Sequence, residues 1–145
     1  MESSLFIIKP EGLLFRATIV SQIAEVGLTI RRTVMMRLGE KHIAAIYPNL
    51  PPDLLQATRD FMLCASCEVG HVTAENAVHR LMEVAGHATN PSDCLPGTIR
   101  AKYGCKIPEK VGQALYFKNA IHRSKDADEA ARDLTLFADL WRGII

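Results

Sequence analysis

Between Leu28 and Leu38 the chain alternates: Leu28, Ile30, Val34, Met36 and Leu38 interleave with Thr29, Arg31, Thr33, Met35 and Arg37, broken once at Arg32. Successive side chains of a β-strand point to opposite faces, so a period of two requires a strand with one apolar side. Just upstream, Leu13 to Val26 sets Arg16, Gln22 and Glu25 among Ile19, Val20, Ile23 and Ala24, the spacing of an amphipathic helix, with Gly27 at the usual stop position. Earlier still, the apolar run Leu5-Phe6-Ile7-Ile8 breaks at Lys9-Pro10-Glu11-Gly12, a strand ended by proline and glycine with a lysine at its tip. The chain therefore opens strand, helix, strand.

A helical insertion and a further strand, helix and strand follow. Glu40 to Ile46 predicts a short helix ending before Tyr47-Pro48, and after Pro51-Pro52 a second helix, capped by Asp53, runs toward Leu63. Cys67 to Thr73 reads as a strand, Ala74 to Val84 as a helix, and Gly86 to Pro96 as loop. Tyr116 to Ile121 predicts the fourth strand, and Asp126 to Leu140 a closing helix opened by a capping box of Asp126 and Glu129. This βαββαβ order with an inserted helical hairpin predicts an α+β, ferredoxin-like fold, an antiparallel sheet with helices on one face.

A length of 145 residues, 48% hydrophobic and 23% charged, suits one domain spanning residues 1–145. Seventeen basic against sixteen acidic residues give a net charge of +1, which argues against nucleic acid or an anionic membrane as the main partner. No apolar run approaches the roughly 20 residues that span a bilayer, and Met1-Glu2-Ser3-Ser4 lacks the basic flank of a secretory signal, so a cytoplasmic protein is expected. Cys64 and Cys67 form one C-x-x-C, but Cys94 and Cys105 do not complete a zinc site.

His122 is the residue best placed for covalent chemistry. It follows the short apolar stretch Ala120-Ile121 and precedes a helix start, where unpaired N–H donors and the positive end of the dipole favour a phosphate. Neutral imidazole carries a free lone pair near neutral pH and needs no separate base.

Three signatures in order, Lys9-Pro10-Glu11-Gly12, then Thr89-Asn90-Pro91 with Pro96-Gly97-Thr98-Ile99-Arg100, then Asn119-Ala120-Ile121-His122, resemble those of nucleoside diphosphate kinases, from about Leu5 to Leu140. The resemblance implies a kinase that takes the terminal phosphate of a nucleoside triphosphate onto His122 and delivers it to a nucleoside diphosphate, with Mg2+ carried by the nucleotide phosphates rather than by protein ligands. It also implies roles: Lys9, Arg100 and Thr89 on the phosphates, Asn119 on sugar hydroxyls and phosphates, Tyr47 beside the imidazole, Asp133 orienting it, and Leu54 against the base. A homo-oligomer, tetramer or hexamer, is implied as well.

The departures from that pattern are chemical. Arg123-Ser124-Lys125 replaces a usual Gly-Ser-Asp after the histidine; Asp133 is one methylene shorter than the usual glutamate, with Glu129 one turn earlier as its competitor; Leu54 stands for a phenylalanine and keeps apolar contact without a π-face. An expected second phosphate-contacting arginine aligns with Glu83, with Arg80 about one turn away, and Asp126 is a substitute for the lost acid. Between Tyr103 and Lys118 the chain is longer than usual, making Ile107 and Val111 candidates for the other wall of the base pocket. The alternative reading is a diverged nucleotide-binding or interaction protein with little kinase activity. The apolar tail Leu140-Trp141-Arg142-Gly143-Ile144-Ile145 is a candidate surface for a neighbouring subunit.

Overall fold

The structure, a computed structural model, describes residues 1–143; Ile144 and Ile145, the end of the apolar tail, lie outside the described residues. Four strands form the main sheet: β1 (Glu2–Ile8), β2 (Thr29–Met36), β3 (Cys67–Ala74) and β6 (Ile121–Arg123), in the order β2-β3-β1-β6. All three pairings are antiparallel. The sequence predicted this ferredoxin-like arrangement.

β1 lies inside the sheet and is covered on both faces, which is why its apolar run does not alternate. Phe6 and Ile8 face a core built with Ile19 and Ile23 of α1 (Arg16–Glu25) and Leu81 and Val84 of α4 (Ala77–Ala85). Leu5 and Ile7 face the other side, against Ile43 and Ile46 of α2 (Glu40–Ile46), Met62 of α3 (Pro52–Met62), and Phe137 just after α6 (Ala127–Leu136). The helices of the βαββαβ core thus share one face as expected, while the inserted hairpin and closing helix supply a second layer.

Several boundaries differ from the sequence reading for local reasons. The break at Arg32 is a bulge: Ile30 pairs with Val72 and Arg32 with His71, so the register shifts between them. Pro51, not Asp53, occupies the N-cap of α3, and Asp53 sits in the first turn, where a carboxylate still meets the positive dipole end. The predicted fourth strand begins later than Tyr116. Tyr116 instead closes a separate hairpin of β4 (Glu109–Val111) and β5 (Ala114–Tyr116), turned at Gly112 with φ 59°, and the sheet strand starts only at Ile121. A last short helix, α5 (Ile99–Tyr103), is capped by the Thr98 hydroxyl accepting from the Ala101 N–H.

The end of the chain packs on its own core. Trp141 donates its indole N–H to the Leu134 carbonyl at 3.2 Å and lies 5.2 Å from the His71 ring, while Arg32 bonds the Leu140 carbonyl at 2.9 Å. The described part of the tail is therefore held within the subunit.

Candidate active site

β6 is the edge of the sheet, so side chains from both of its faces can reach around into one cavity. His122 pairs with Ile7 and projects toward α6, whereas Arg123 pairs with Phe6 and projects toward the end of α4. Between them opens a cavity of about 280 Å³. Lys9, Tyr47, Leu54, Thr89, Arg100, Asn119 and His122, drawn from distant parts of the sequence, all line it. Asp133 stands behind His122, and the sequence-predicted site residues are thus assembled around one imidazole.

A strained turn sets the position of β6. Ala120 has φ 75°, and the Ile121 N–H donates to the Asn119 carbonyl at 2.9 Å, closing a γ-turn that L-residues seldom adopt. Three contacts hold it. The Lys9 N–H donates to the Ala120 carbonyl at 2.8 Å, the Glu11 carboxylate accepts from the Ala120 N–H at 3.0 Å, and Gly12 packs so closely that a Cβ there would stand 2.6 Å from the Ala120 oxygen. The proline-glycine break after β1 therefore exists to clamp the strand that carries the histidine.

The imidazole is fixed through one nitrogen. His122 Nε2 lies 3.2 Å from Asp133 Oδ2, which also accepts from the Ser124 hydroxyl at 2.8 Å. Ser124 thus serves the carboxylate and not the helix start, which Asp126 caps by accepting from the Glu129 N–H at 2.7 Å. Nδ1 is the ring nitrogen with no protein partner among the described residues. Tyr47 meets the imidazole edge-on, ring centres 6.0 Å apart at 69°. Burial holds the His122 pKa below its ordinary value, and the Asp133 hydrogen bond pulls the other way. At neutral pH the ring is uncharged and Nδ1 keeps its lone pair.

Lys9, Arg100, Arg123 and Lys125 line the same cavity as the imidazole. Lys9 Nζ donates to Asn119 Oδ1 at 2.8 Å, and Asn119 Nδ2 donates to the Thr89 carbonyl at 3.0 Å. Burial lowers the Lys9 pKa to about 8, with Arg100 and Arg123 adding repulsion and Glu11 opposing. Arg100 spends its guanidinium on the carbonyls of Ile121 and Ala88, and burial lowers its pKa to about 10. Such a constellation is suited to a group that is small, anionic and in transit between nucleophile and leaving group.

The structure redirects several other expectations. Glu83 pairs with His87 at 2.8 Å on the surface, and Arg80 turns away to the Val26 carbonyl at 3.3 Å, so neither reaches the cavity. Ile107 is 86% exposed and Val111 lies outside the cavity; Leu115, Tyr116 and Phe117, from β5 and just beyond, line it together with Leu50 and Leu54. Asp126 is spent on its cap. Arg123 and Lys125 both line the cavity, and Arg123 is buried although it stands where a glycine is usual. His122, Glu129 and Asp133 bring ligand-type atoms within 4.8 Å of one another, but Asp133 is already committed to two hydrogen bonds.

The β2-β3-β1-β6 sheet with a buried edge-strand histidine among cations defines a ferredoxin-like protein built to handle a phosphoryl group. The nucleoside diphosphate kinase family sequence model matches residues 2–140, and the chain belongs to that family. A nucleoside diphosphate kinase of Chlamydia abortus is 33% identical over 140 residues, covering 94% of this chain and 92% of the relative. One from Pyrococcus furiosus is 34% identical over 143 residues, covering 94% and 83%. In structure, the chain resembles a transition state mimic of the Borrelia burgdorferi nucleoside-diphosphate kinase with bound vanadate and ADP, at TM-score 0.79 and 20% identity, covering 94% of this chain and 86% of that one. It also resembles the Halobacterium salinarum enzyme in complex with CDP, at TM-score 0.79 and 24% identity, with coverage of 94% and 86%. No helix among the described residues is long and apolar enough to cross a membrane.

Proposed function

We propose that this protein is a nucleoside diphosphate kinase that works by a two-step exchange through His122. The observation that carries the reading is a neutral, buried imidazole held at Nε2 by Asp133, with its free Nδ1 in a cavity lined by Lys9 and Arg100. Nδ1 attacks the terminal phosphorus of a nucleoside triphosphate; the N–P bond forms as the bond to the bridging oxygen breaks, and the diphosphate leaves with that electron pair. Asp133 balances the charge that the ring gains. A second diphosphate then attacks the phosphohistidine and the steps run in reverse.

Each neighbour has a task in this scheme. Lys9 and Arg100 stabilise the equatorial oxygens of the group in flight, and the Thr89 hydroxyl and Asn119 amide hold the remaining phosphates and the sugar. Leu54, with Leu115 and Phe117 in the same cavity lining, offers apolar surface to a base without hydrogen-bond readout, which favours broad base acceptance. Phosphotransferases of this kind generally require a divalent cation. Among the described residues Glu129 is the sole carboxylate lining the cavity, and Lys125 lines the same space, so the donor set fits an ion held by the substrate's own phosphates. Mg2+, when bound with the substrate, would supply charge neutralisation and orientation of the terminal phosphate. The exposed edge of β2, with Met35 52% exposed, supports assembly into a homo-oligomer, tetramer or hexamer, and the cytoplasm is the compartment that supplies such substrates.

The test is transfer of label from the terminal phosphate of a nucleoside triphosphate. Wild type should acquire acid-labile, alkali-stable label that chases onto an unrelated diphosphate, and His122→Ala should do neither. Equal labelling of the alanine variant would remove His122 as nucleophile, and binding without any labelling of wild type would favour a diverged nucleotide-binding protein.

A further inference from the structure

We propose that Arg123, the residue directly after the nucleophile, is itself a phosphate-binding catalytic residue, supplying from β6 the cation that α4 lacks at Glu83. The proposal rests on the kinase reading above and goes beyond it. Arg123 is 8% exposed and lines the same cavity as His122, Lys9 and Arg100. Its Nε donates to the Gly86 carbonyl at 3.1 Å and its Nη2 to the His87 carbonyl at 2.9 Å. Nη1 has no acceptor among the described residues.

The energetics call for an anion. A buried charge is costly unless it is paired, and the partners of Arg123, like those of Arg100, are neutral carbonyls. Lys9, Arg100 and Arg123 repel one another, and half-buried Glu129 is the one carboxylate lining the cavity among the described residues. A nucleotide's phosphates would relieve all three at once. Two carbonyl bonds aim the guanidinium and fix its plane, so little further side-chain freedom is lost when Nη1 meets a phosphate oxygen. The geometry also explains why the surface ion pair of Glu83 with His87 is tolerated: the role of an α4 cation has moved to the other side of the 86–88 segment.

The experiment compares Arg123→Gly, the residue usual in this family, with Arg123→Lys, by calorimetric titration of ADP and AMP and by steady-state kinetics. Losing a charge-assisted phosphate contact should weaken ADP binding and lower kcat/KM by about 10- to 100-fold in the glycine variant. AMP binding should barely change, the lysine variant should fall in between, and added guanidinium ion should restore part of the glycine variant's rate. Unchanged ADP affinity, or an equal loss for AMP and ADP, would overturn the proposal, the second outcome reducing Arg123 to a brace for the Gly86 and His87 carbonyls. The titrations need no turnover, so they decide the role of Arg123 even if wild type fails to form phosphohistidine.

Discussion

Lys9 and His122 titrate on opposite sides of neutrality, and the site needs them in opposite states. In the proposed mechanism His122 attacks as the neutral ring, and burial extends that state to pH below the ordinary imidazole value of 6.5. Lys9 must be charged, yet desolvation brings its pKa down to about 8. kcat/KM, which reports the free enzyme, should therefore fall as pH rises through about 8, where Lys9 loses its proton. Bound phosphate favours the charged amine, so the alkaline limb of kcat should lie at higher pH than that of kcat/KM. Arg does not titrate in this range, and Lys9→Arg should abolish the alkaline limb whatever its absolute rate; persistence of that limb in a pH series on this variant would assign it to another group. At this scale, Lys9, Thr89, Arg100, Asn119 and His122 were legible because each lies in a short local signature. Arg123 was legible only as a departure: whether a cation beside the nucleophile faces water or the cavity depends on β6 being a sheet edge, which no spacing records.

The 3₁₀ turn Pro10–Phe15 and the γ-turn at Ala120 form one device, although some 110 residues separate them. Glu11 and the Lys9 backbone hold the strained peptide, and Gly12 leaves room for its carbonyl. Gly12→Ala should drive a methyl group onto the Ala120 oxygen, lowering stability by about 1–3 kcal/mol and reducing turnover further by displacing His122. Chemical denaturation combined with kinetics checks this; a variant as stable and as fast as wild type would show that the turn does not position the histidine. The elements themselves were largely readable. α2 was predicted at its observed bounds, and the Asp126–Glu129 cap and the Gly27 stop follow from local chemistry. The fourth strand was misplaced because Tyr116 and Phe117 have strand-like character that the β4–β5 hairpin and the cavity wall use instead.

Across the whole molecule, acid stability turns on histidines held neutral away from the cavity. His71, on the central strand β3, has both ring nitrogens buried without a hydrogen-bond partner, packs against Trp141, and is held below pKa 6.5 by burial and by Arg31. His42 is lowered by burial too; it accepts from the Gly39 N–H and stacks on Phe137. The unfolded chain protonates such groups more readily than the folded one, so stability is present above about 6.5 and declines as pH falls from there toward the lower folded pKa. Thermal unfolding followed from pH 7.5 to 5 should show Tm dropping, with a shallower slope in His71→Leu. Equal slopes would mean that His71 gains a partner in solution.

Alternation at Leu28–Leu38, the unbroken apolar run of β1, and the proline and glycine stops determined the order of elements, because such periodicities are properties of neighbouring residues and survive in one dimension. The sequence also named the imidazole and its principal cations. Tertiary structure decided the rest: that β6 is an edge, that the hairpin and α6 cover the second face, that Arg80 turns away while Arg123 turns in, and that Asp133 meets Nε2 and leaves Nδ1 without a protein partner among the described residues. Those outcomes are contests among side chains for the same carbonyls, cavities and counterions, and they are settled only when distant segments meet.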